Sequence, residues 1–243
     1  MPPATFLTPS NTFFRFLYSS TTMPSPCVLW FRGGDLRTHD NAALNAAAAS
    51  GRPILPIYIH STDFVPDEVT EHSAAAVWLQ AALADVSASI VALAGVGDAN
   101  VGLRFFKAEP GSGAAGVVSE LLRVCASVSE GGGPVPVYFN RRYEPESEHL
   151  VKLLQQRIAA AGRPISLHSF PGYLLFEPDA VISQITKDGK DSGGWRGHWG
   201  TLMPFVTSCK AIPGGGGKTL PSRPPSAPLN VLHVSATLEK AIG

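Results

Sequence analysis

Short apolar runs alternate along the chain with longer segments in which apolar residues recur at helical spacing. Five runs, each bounded by Gly, Pro, Asn or Ser, are predicted to be strands: residues 27–31, 53–59, 101–106, 134–139 and 164–170. Four segments between or beside them are predicted to be helices: residues 41–50, 71–93, 114–126 and 144–161. Asp40 is the expected N-cap of the first helix. This alternation is typical of repeated β-α units around a parallel sheet.

The predicted fold class is α/β, a doubly wound, Rossmann-like sheet of five parallel strands in the order 3-2-1-4-5, with helices on both faces. In that order the crossovers change direction between the first and fourth strands. Ligands of such sheets bind outside the carboxyl ends of the strands at this switch point. We therefore expect a ligand crevice whose rim comes from residues 32–37 and 140–143.

The segment WFRGGDLRTHDNAAL, residues 30–44, places several charged side chains on this rim, including Arg32, Asp35, Arg37 and Asp40. Taken alone, these residues leave two interpretations open. They could form ion pairs that fix the turn after the first strand, or they could bind a ligand in the crevice.

Composition and charge narrow the range of functions. Hydrophobic residues make up 44% of the 243 residues and charged residues 16%, which indicates a packed core. Lys plus Arg equals Asp plus Glu at 19 each, so we expect no direct binding to nucleic acid. The three cysteines are far apart, and no metal site is expected. Spanning a bilayer takes an apolar run of ~20 residues, and we expect none of that length. We therefore expect no membrane partner.

Composition also divides the chain into three parts. Residues 1–25 hold nine Ser or Thr, one Arg and no acid, which is typical of a transit peptide to the chloroplast or mitochondrion. A disordered tail, with a cytoplasmic or nuclear protein, is the alternative. Residues 26–212 form the predicted α/β domain. Residues 213–243 begin as a Gly/Pro-rich linker and end in a tail too short for a second domain.

Four stretches of the chain, taken in order, resemble the photolyase and cryptochrome family. The opening motif at residues 30–44 has Gly33 and Gly34 where the family usually has a single residue. VYFNRRYEPE, residues 137–146, resembles the fourth-strand motif, and GYLLFEPDAV, residues 172–181, a later Leu-Glu-Pro segment. GHWGTLMPFVTSC, residues 197–209, keeps only Pro204 and Phe205 of a further motif. The resemblance spans roughly residues 26–210 and identifies the N-terminal α/β domain of that family.

The resemblance implies a light-harvesting chromophore-binding domain, or a docking module, of a blue-light-dependent DNA photolyase or cryptochrome. In the family the catalytic FAD is held by a separate helical domain, which we expect this chain to lack. The domain would then not be an enzyme on its own, and its expected partner is such a flavin-binding helical domain or another protein. Alternatively, the chain is a fragment of a complete FAD-dependent photolyase or cryptochrome.

The resemblance also implies an antenna chromophore, which could be deazaflavin, flavin or folate. The polar residues that hold folate in some members are here Pro145, Glu146 and Ser147, so the folate pattern is not met. A deazaflavin or flavin in the crevice, or an empty pocket used for docking, remain open. The expected cofactor-binding residues are Phe31, Arg32, Leu36, Arg37, Asn140 and Glu144. No catalytic residue is predicted.

A weaker alternative comes from GSGAAG, residues 111–116, which matches the G-x-G-x-x-G pattern of dinucleotide-binding loops. The motif follows a predicted strand and opens a predicted helix, as that function requires. However, it follows the third strand, which the predicted order places at the sheet edge, away from the switch point. A nucleotide-binding oxidoreductase domain is therefore less favoured than a plain loop.

Overall fold

The computed structural model describes residues 25–63, 73–95, 101–129, 133–172, 174, 176–178, 181, 201–212, 225 and 228–233. Its strands are β1 Cys27–Phe31, β2 Ile54–His60, β3 Arg104–Lys107, β4 Val135–Asn140 and β5 Ile165–Phe170. Its helices are α1 Ala42–Ala49, α2 Ala74–Ala94, α3 Gly113–Val128, α4 Pro145–Ala161 and α5 Leu202–Lys210. The predicted transit peptide lies almost wholly outside the described residues.

The five strands form one sheet in the order β3-β2-β1-β4-β5, and every neighbouring pair is parallel. The predicted fold class and strand order are therefore confirmed. Among the strands, the largest difference between predicted and observed bounds is in β3, which begins at Arg104 and not at Val101. As an edge strand, β3 is hydrogen-bonded on one side only, to residues Ile57 to His60 of β2, and this register limits its length.

Alternate side chains of the central strands enter two separate cores. Leu29 and Phe31 pack with α1 and α2, whereas Val28 and Trp30 pack on the opposite face with α3 and α4. Because both faces are covered, β1 is buried at every position and reads in the sequence as a continuous apolar run. The helices thus lie on both faces, as predicted, and the carboxyl ends of the strands are left to form a site.

The N-cap of α1 is Asn41, so the expectation of Asp40 is wrong. The side-chain oxygen of Asn41 accepts a hydrogen bond from the backbone N–H of Leu44 at 3.0 Å, and its backbone is extended. Asp40 has a φ of 50°, in the left-handed region, which an N-cap does not adopt. Asp40 and Asn41 are both residue types that can cap a helix, and the conformation of the turn allows only Asn41 to do so.

Helix α2 departs from what the sequence led us to expect. Its 21 residues are long and apolar enough, by length and composition, to cross a bilayer, so the expectation that no such run exists is wrong. Val86, Ile90 and Ala94 are buried against the sheet. Near the amino end, Val77 and Trp78 are 64% and 75% exposed. The described domain therefore leaves these two apolar side chains of α2 largely uncovered.

Part of the segment assigned to the linker and tail contacts the core. Leu229 is buried, and its backbone N–H donates to the carbonyl of Leu93 at 2.8 Å. Ile54 donates to the carbonyl of Asn230 at 2.8 Å and accepts from Leu232 at 2.8 Å. Residues 229–232 thus extend the sheet beside the start of β2, which the Gly/Pro-rich composition before them did not indicate.

Candidate functional site

A cavity of about 1120 Å³ opens at the carboxyl ends of β1 and β2 and reaches the loop after β4. Known ligand pockets occupy roughly 300–1,000 Å³, so this cavity has room for a tricyclic ring system with a side chain. Helix α2 forms one wall and the start of α4 the other. The cavity lies at the β1/β4 switch point, as the sequence predicted, and extends farther over β2.

The lining divides into an apolar and a charged part. The larger apolar side chains are those of Trp30, Phe31, Leu36, Tyr58, Trp78, Leu79 and Leu150. The charged side chains are those of Arg32, Arg37, Asp63, Arg142, Glu144 and Glu146. Aromatic walls with a few polar groups are typical of sites for planar ligands.

Five of the six predicted cofactor-binding residues line this cavity: Phe31, Arg32, Leu36, Arg37 and Glu144. Asn140 does not; it is 3% exposed and lies beneath the rim. Tyr58 and Trp78 also line the cavity and were not predicted, whereas Arg142 belongs to the predicted rim but was not among the expected cofactor-binding residues. Trp78 gave a weak signal as the single Trp of a long Ala-rich helix, but periodicity alone could not tell whether it faces the core or a ligand.

Asn140, the last residue of β4, joins three segments through its side-chain amide. Its Nδ2 donates to Asp35 Oδ2 and to Asn41 Oδ1, each at 2.9 Å. Its Oδ1 accepts from the backbone N–H of Ala43 at 3.1 Å. The residue therefore fixes the loop after β1 and the start of α1 against β4, and it supports the site from below.

Asp35 is buried under the same rim. Its Oδ1 accepts from the backbone N–H of Arg32 at 2.6 Å, which closes the turn that contains the two glycines. Burial raises the pKa of the Asp35 carboxyl, while the hydrogen bonds from Arg32 and Asn140 oppose that rise. Asp35 therefore shapes the turn and does not line the cavity.

Arg37 acts mainly as a clamp on the backbone. Its guanidinium donates to the carbonyls of Gly172 at 2.8 Å, Asp40 at 3.2 Å and Gly34 at 3.2 Å. It also lies 3.5 Å from a carboxylate oxygen of Asp40. For Arg37 the interpretation that charged residues fix the turn is supported, although the side chain also lines the cavity.

Arg142 and Glu144 form an ion pair on the opposite rim. Arg142 Nη2 lies 2.7 Å from Glu144 Oε1 and Nε lies 3.2 Å from Oε2, a two-point contact. Chiefly through these hydrogen bonds, the pKa of Glu144 is lowered to about 2. Arg142 also lies over the turn, with Nη1 3.3 Å from where a Cβ on Gly34 would stand. The second glycine thus leaves space for this arginine.

We expect the Glu144 carboxyl to titrate with a pKa of about 2. The titration can be measured from the carbon-13 NMR shift of that carboxyl. Because the folded-state pKa is lowered, the stability this pair adds is present above the ordinary pKa and is lost as the pH falls through about 2. Arg142→Gln should return the pKa toward 4.5. Arg141→Gln, which removes an arginine paired with Glu177 instead, is the control and should leave it unchanged.

The backbone of the GSGAAG loop binds the side-chain carboxylate of Asp63. The backbone N–H groups of Gly111 and Gly113 donate to Asp63 Oδ1 and Oδ2 at 3.3 and 2.8 Å. In a dinucleotide-binding loop these donors would face the pyrophosphate. The loop also follows β3 at the edge of the sheet. Both observations favour a plain loop over the oxidoreductase alternative.

Among the described residues, no group of three or more His, Cys, Asp or Glu side chains could hold a metal ion. Cys27 and Cys125 are buried thiols, and burial raises their pKa to about 11 and about 12. Such thiols remain protonated near neutral pH.

The sheet order, the helices on both faces and the cavity at the switch point define a doubly wound α/β domain of the kind that binds ligands at this edge of the sheet in other proteins. The family model described as DNA photolyase matches residues 27–192. The chain therefore belongs to the DNA photolyase family, and the part described here corresponds to the family's N-terminal α/β domain.

Two comparisons agree with this assignment. A curated deoxyribodipyrimidine photo-lyase of Agrobacterium fabrum is 30% identical over 203 residues, which cover 84% of this chain and 35% of that protein. A crystal structure of a bacterial class III photolyase from Agrobacterium tumefaciens is 28% identical with a TM-score of 0.61, and the match covers 92% of this chain and 39% of that one. The chain thus spans little more than a third of the length of these relatives.

A third, more distant structure is an archaeal photolyase from Sulfolobus tokodaii, described as holding two FAD molecules and implying a novel light-harvesting cofactor. It is 20% identical with a TM-score of 0.47, and the match covers 67% of this chain and 34% of that one.

Proposed function

We propose that this α/β domain binds a planar, light-absorbing antenna chromophore in the cavity at the carboxyl ends of β1 and β2. The observation that carries the proposal is the lining of that cavity. Phe31, Tyr58 and Trp78 offer aromatic surface, and the buried guanidinium of Arg32 offers hydrogen-bond donors. These residues fit a fused-ring chromophore because such rings bind through their faces and through polar groups at their edges.

A flavin or deazaflavin suits this lining better than a folate. The residues at the positions that hold folate in some family members are Pro145, Glu146 and Ser147, which supply no amide or cationic donor in their side chains. Glu146 instead adds a negative charge to the rim. When bound, such a chromophore would absorb blue or near-ultraviolet light and would supply excitation energy to the FAD of a helical partner domain.

Trp78→Ala should weaken chromophore binding about fivefold, because a stacked aromatic ring contributes roughly 1 kcal/mol beyond its buried area. The affinity is measured by fluorescence titration of the full chain with FMN, riboflavin and 8-hydroxy-5-deazaflavin. Trp78 is 75% exposed, so its removal should leave the midpoint of thermal unfolding nearly unchanged.

Val77→Ala is the matched control, because Val77 is the preceding residue of α2, is 64% exposed and does not line the cavity. It should bind every chromophore as the unaltered chain does. Equal weakening by both substitutions would point to a general effect on α2 and contradict stacking on Trp78. Failure of all three chromophores and of methenyltetrahydrofolate to bind would contradict the proposed function itself.

We further propose that this domain works with a flavin-binding helical domain, as part of a blue-light-dependent DNA photolyase or cryptochrome. Leu202 and Met203 of α5 are 70% and 69% exposed, and they offer apolar surface to such a partner. Sequencing the mature transcript tests whether the partner is encoded in the same chain. In-frame coding sequence for a helical domain after Gly243 supports the proposal, whereas a stop codon there requires a separate polypeptide.

A further inference from the structure

Arg32 is the first residue after β1 and one of the few buried charged groups among the described residues. It is 6% exposed, and its side chain lines the cavity. The guanidinium carbon lies 5.1 Å from the centre of the Trp30 ring, which fixes the side chain along the aromatic wall. Within the described part of the chain, its buried Nη1 has no hydrogen-bond partner.

The guanidinium groups of the two other arginines that line the cavity have partners within the chain. Arg37 donates to three backbone carbonyls, and Arg142 is paired with Glu144. Asp35, the nearest carboxylate in sequence, accepts from the backbone N–H of Arg32 and from Asn140. Arg32 Nη1 is therefore a buried donor without a partner, on a residue that lines the cavity.

Burying the Arg32 guanidinium is costly, because burial removes the hydration of its charge. Burial lowers the pKa of Arg32 to about 10; the positive charge of Arg142 acts in the same direction, and the negative charges of Asp35 and Glu144 oppose it. At neutral pH the group nonetheless stays charged. A neutral carbonyl would satisfy the hydrogen bond, whereas an oxygen with negative charge would also offset the buried charge.

We propose that Arg32 binds a negatively charged oxygen of the chromophore, so that the cavity selects aromatic ligands bearing a phosphate, carboxylate or phenolate. This inference rests on the proposed function, because it assumes that the cavity takes a chromophore. It assigns Arg32 a role in specificity in addition to its position in the turn after β1.

FMN and riboflavin test this inference, because they share one ring system and differ in a phosphate. The full chain should bind FMN about tenfold to a hundredfold more tightly than riboflavin, as expected for a hydrogen bond to a charged group. Arg32→Gln, which keeps a donor but removes the charge, should abolish that preference. Arg163→Gln, which removes an exposed arginine outside the cavity, is the control and should keep the preference.

A second measurement uses the unaltered chain and so does not depend on the folding of any variant. Inorganic phosphate replacing chloride at constant ionic strength should weaken FMN binding and leave riboflavin binding unchanged. The same competition measurement shows whether free phosphate by itself binds beside Arg32.

The possible failures are distinguishable. Equal affinity for the two flavins, or an FMN preference that survives in Arg32→Gln, overturns the role of Arg32 and leaves chromophore binding intact. A parallel loss of both flavins in Arg32→Gln assigns Arg32 to the ring and also overturns selection by charge. If no chromophore binds the unaltered chain, the inference and the proposed function fail together.

Discussion

Asn140→Ala should lower the free energy of unfolding by about 2–4 kcal/mol. The change removes both amide hydrogen bonds to Asp35 and Asn41 and leaves the backbone N–H of Ala43 without its acceptor. All these groups are buried or lie at the start of α1, so water cannot replace the lost partners without opening the turn. Urea unfolding followed by circular dichroism measures the loss.

Asn230→Ala is the matched control, because the amide of Asn230 donates to a carbonyl at 3.3 Å but is exposed. It should change the stability by less than about 0.5 kcal/mol. A similarly small effect of Asn140→Ala would show that the network does not hold the rim together.

The loss in Asn140→Ala should also depend on pH. The pKa of Asp35 is already raised by burial, and removing a hydrogen bond to its charged form raises it further. A carboxyl whose folded-state pKa is raised gains stability relative to the unfolded chain as the pH falls through that pKa. The difference between the variant and the unaltered chain should therefore shrink as the pH falls through the raised pKa of Asp35.

Gly172→Ala should destabilise the domain by about 1–3 kcal/mol, because it overpacks the same network from the other side. A Cβ on Gly172 would lie 2.9 Å from Asn140 Oδ1 and 3.0 Å from Asn140 Cγ. Asn140 is held by three hydrogen bonds and cannot move away without breaking them. The shift would also disturb the carbonyl of Gly172, which accepts from Arg37. Thermal unfolding followed by circular dichroism measures the change.

Gly33→Ala is the control for this substitution, since its Cβ would meet Arg142 Nη1 at an ordinary 3.7 Å and the position is exposed. Its stability should stay within about 0.5 kcal/mol of the unaltered chain. If Gly172→Ala and Gly33→Ala behave alike, the close approach at Gly172 has no energetic consequence.

These two predictions concern a network that supports the site without entering it. Asp35, Asn41 and Asn140 hold the loop after β1 in place, and that loop carries Arg32, Leu36 and Arg37 to the cavity. A variant of this network is therefore expected to lose chromophore affinity and stability together. Trp78→Ala should lose affinity alone, and this difference separates support of the rim from contact with the ligand.

The sequence by itself determined the fold class, the strand order and the edge at which the cavity opens. Apolar runs such as residues 27–31 mark strands covered on both faces, and right-handed crossovers leave few arrangements for five of them. Five of the six residues expected to bind a cofactor line the cavity, because residues at or soon after the end of a parallel strand lie near its carboxyl end.

The tertiary structure alone decided how side chains divide between support and lining. Asn140 directly follows the predicted fourth strand, as Arg32 directly follows the first, yet one lies under the rim and the other lines the cavity, because strand direction and loop packing set their orientation. Trp78 lines the cavity from α2, and helical periodicity alone could not show that it faces the cavity and not the core. Contacts between residues far apart in sequence, such as Asp35 with Asn140, arise only when the chain has folded.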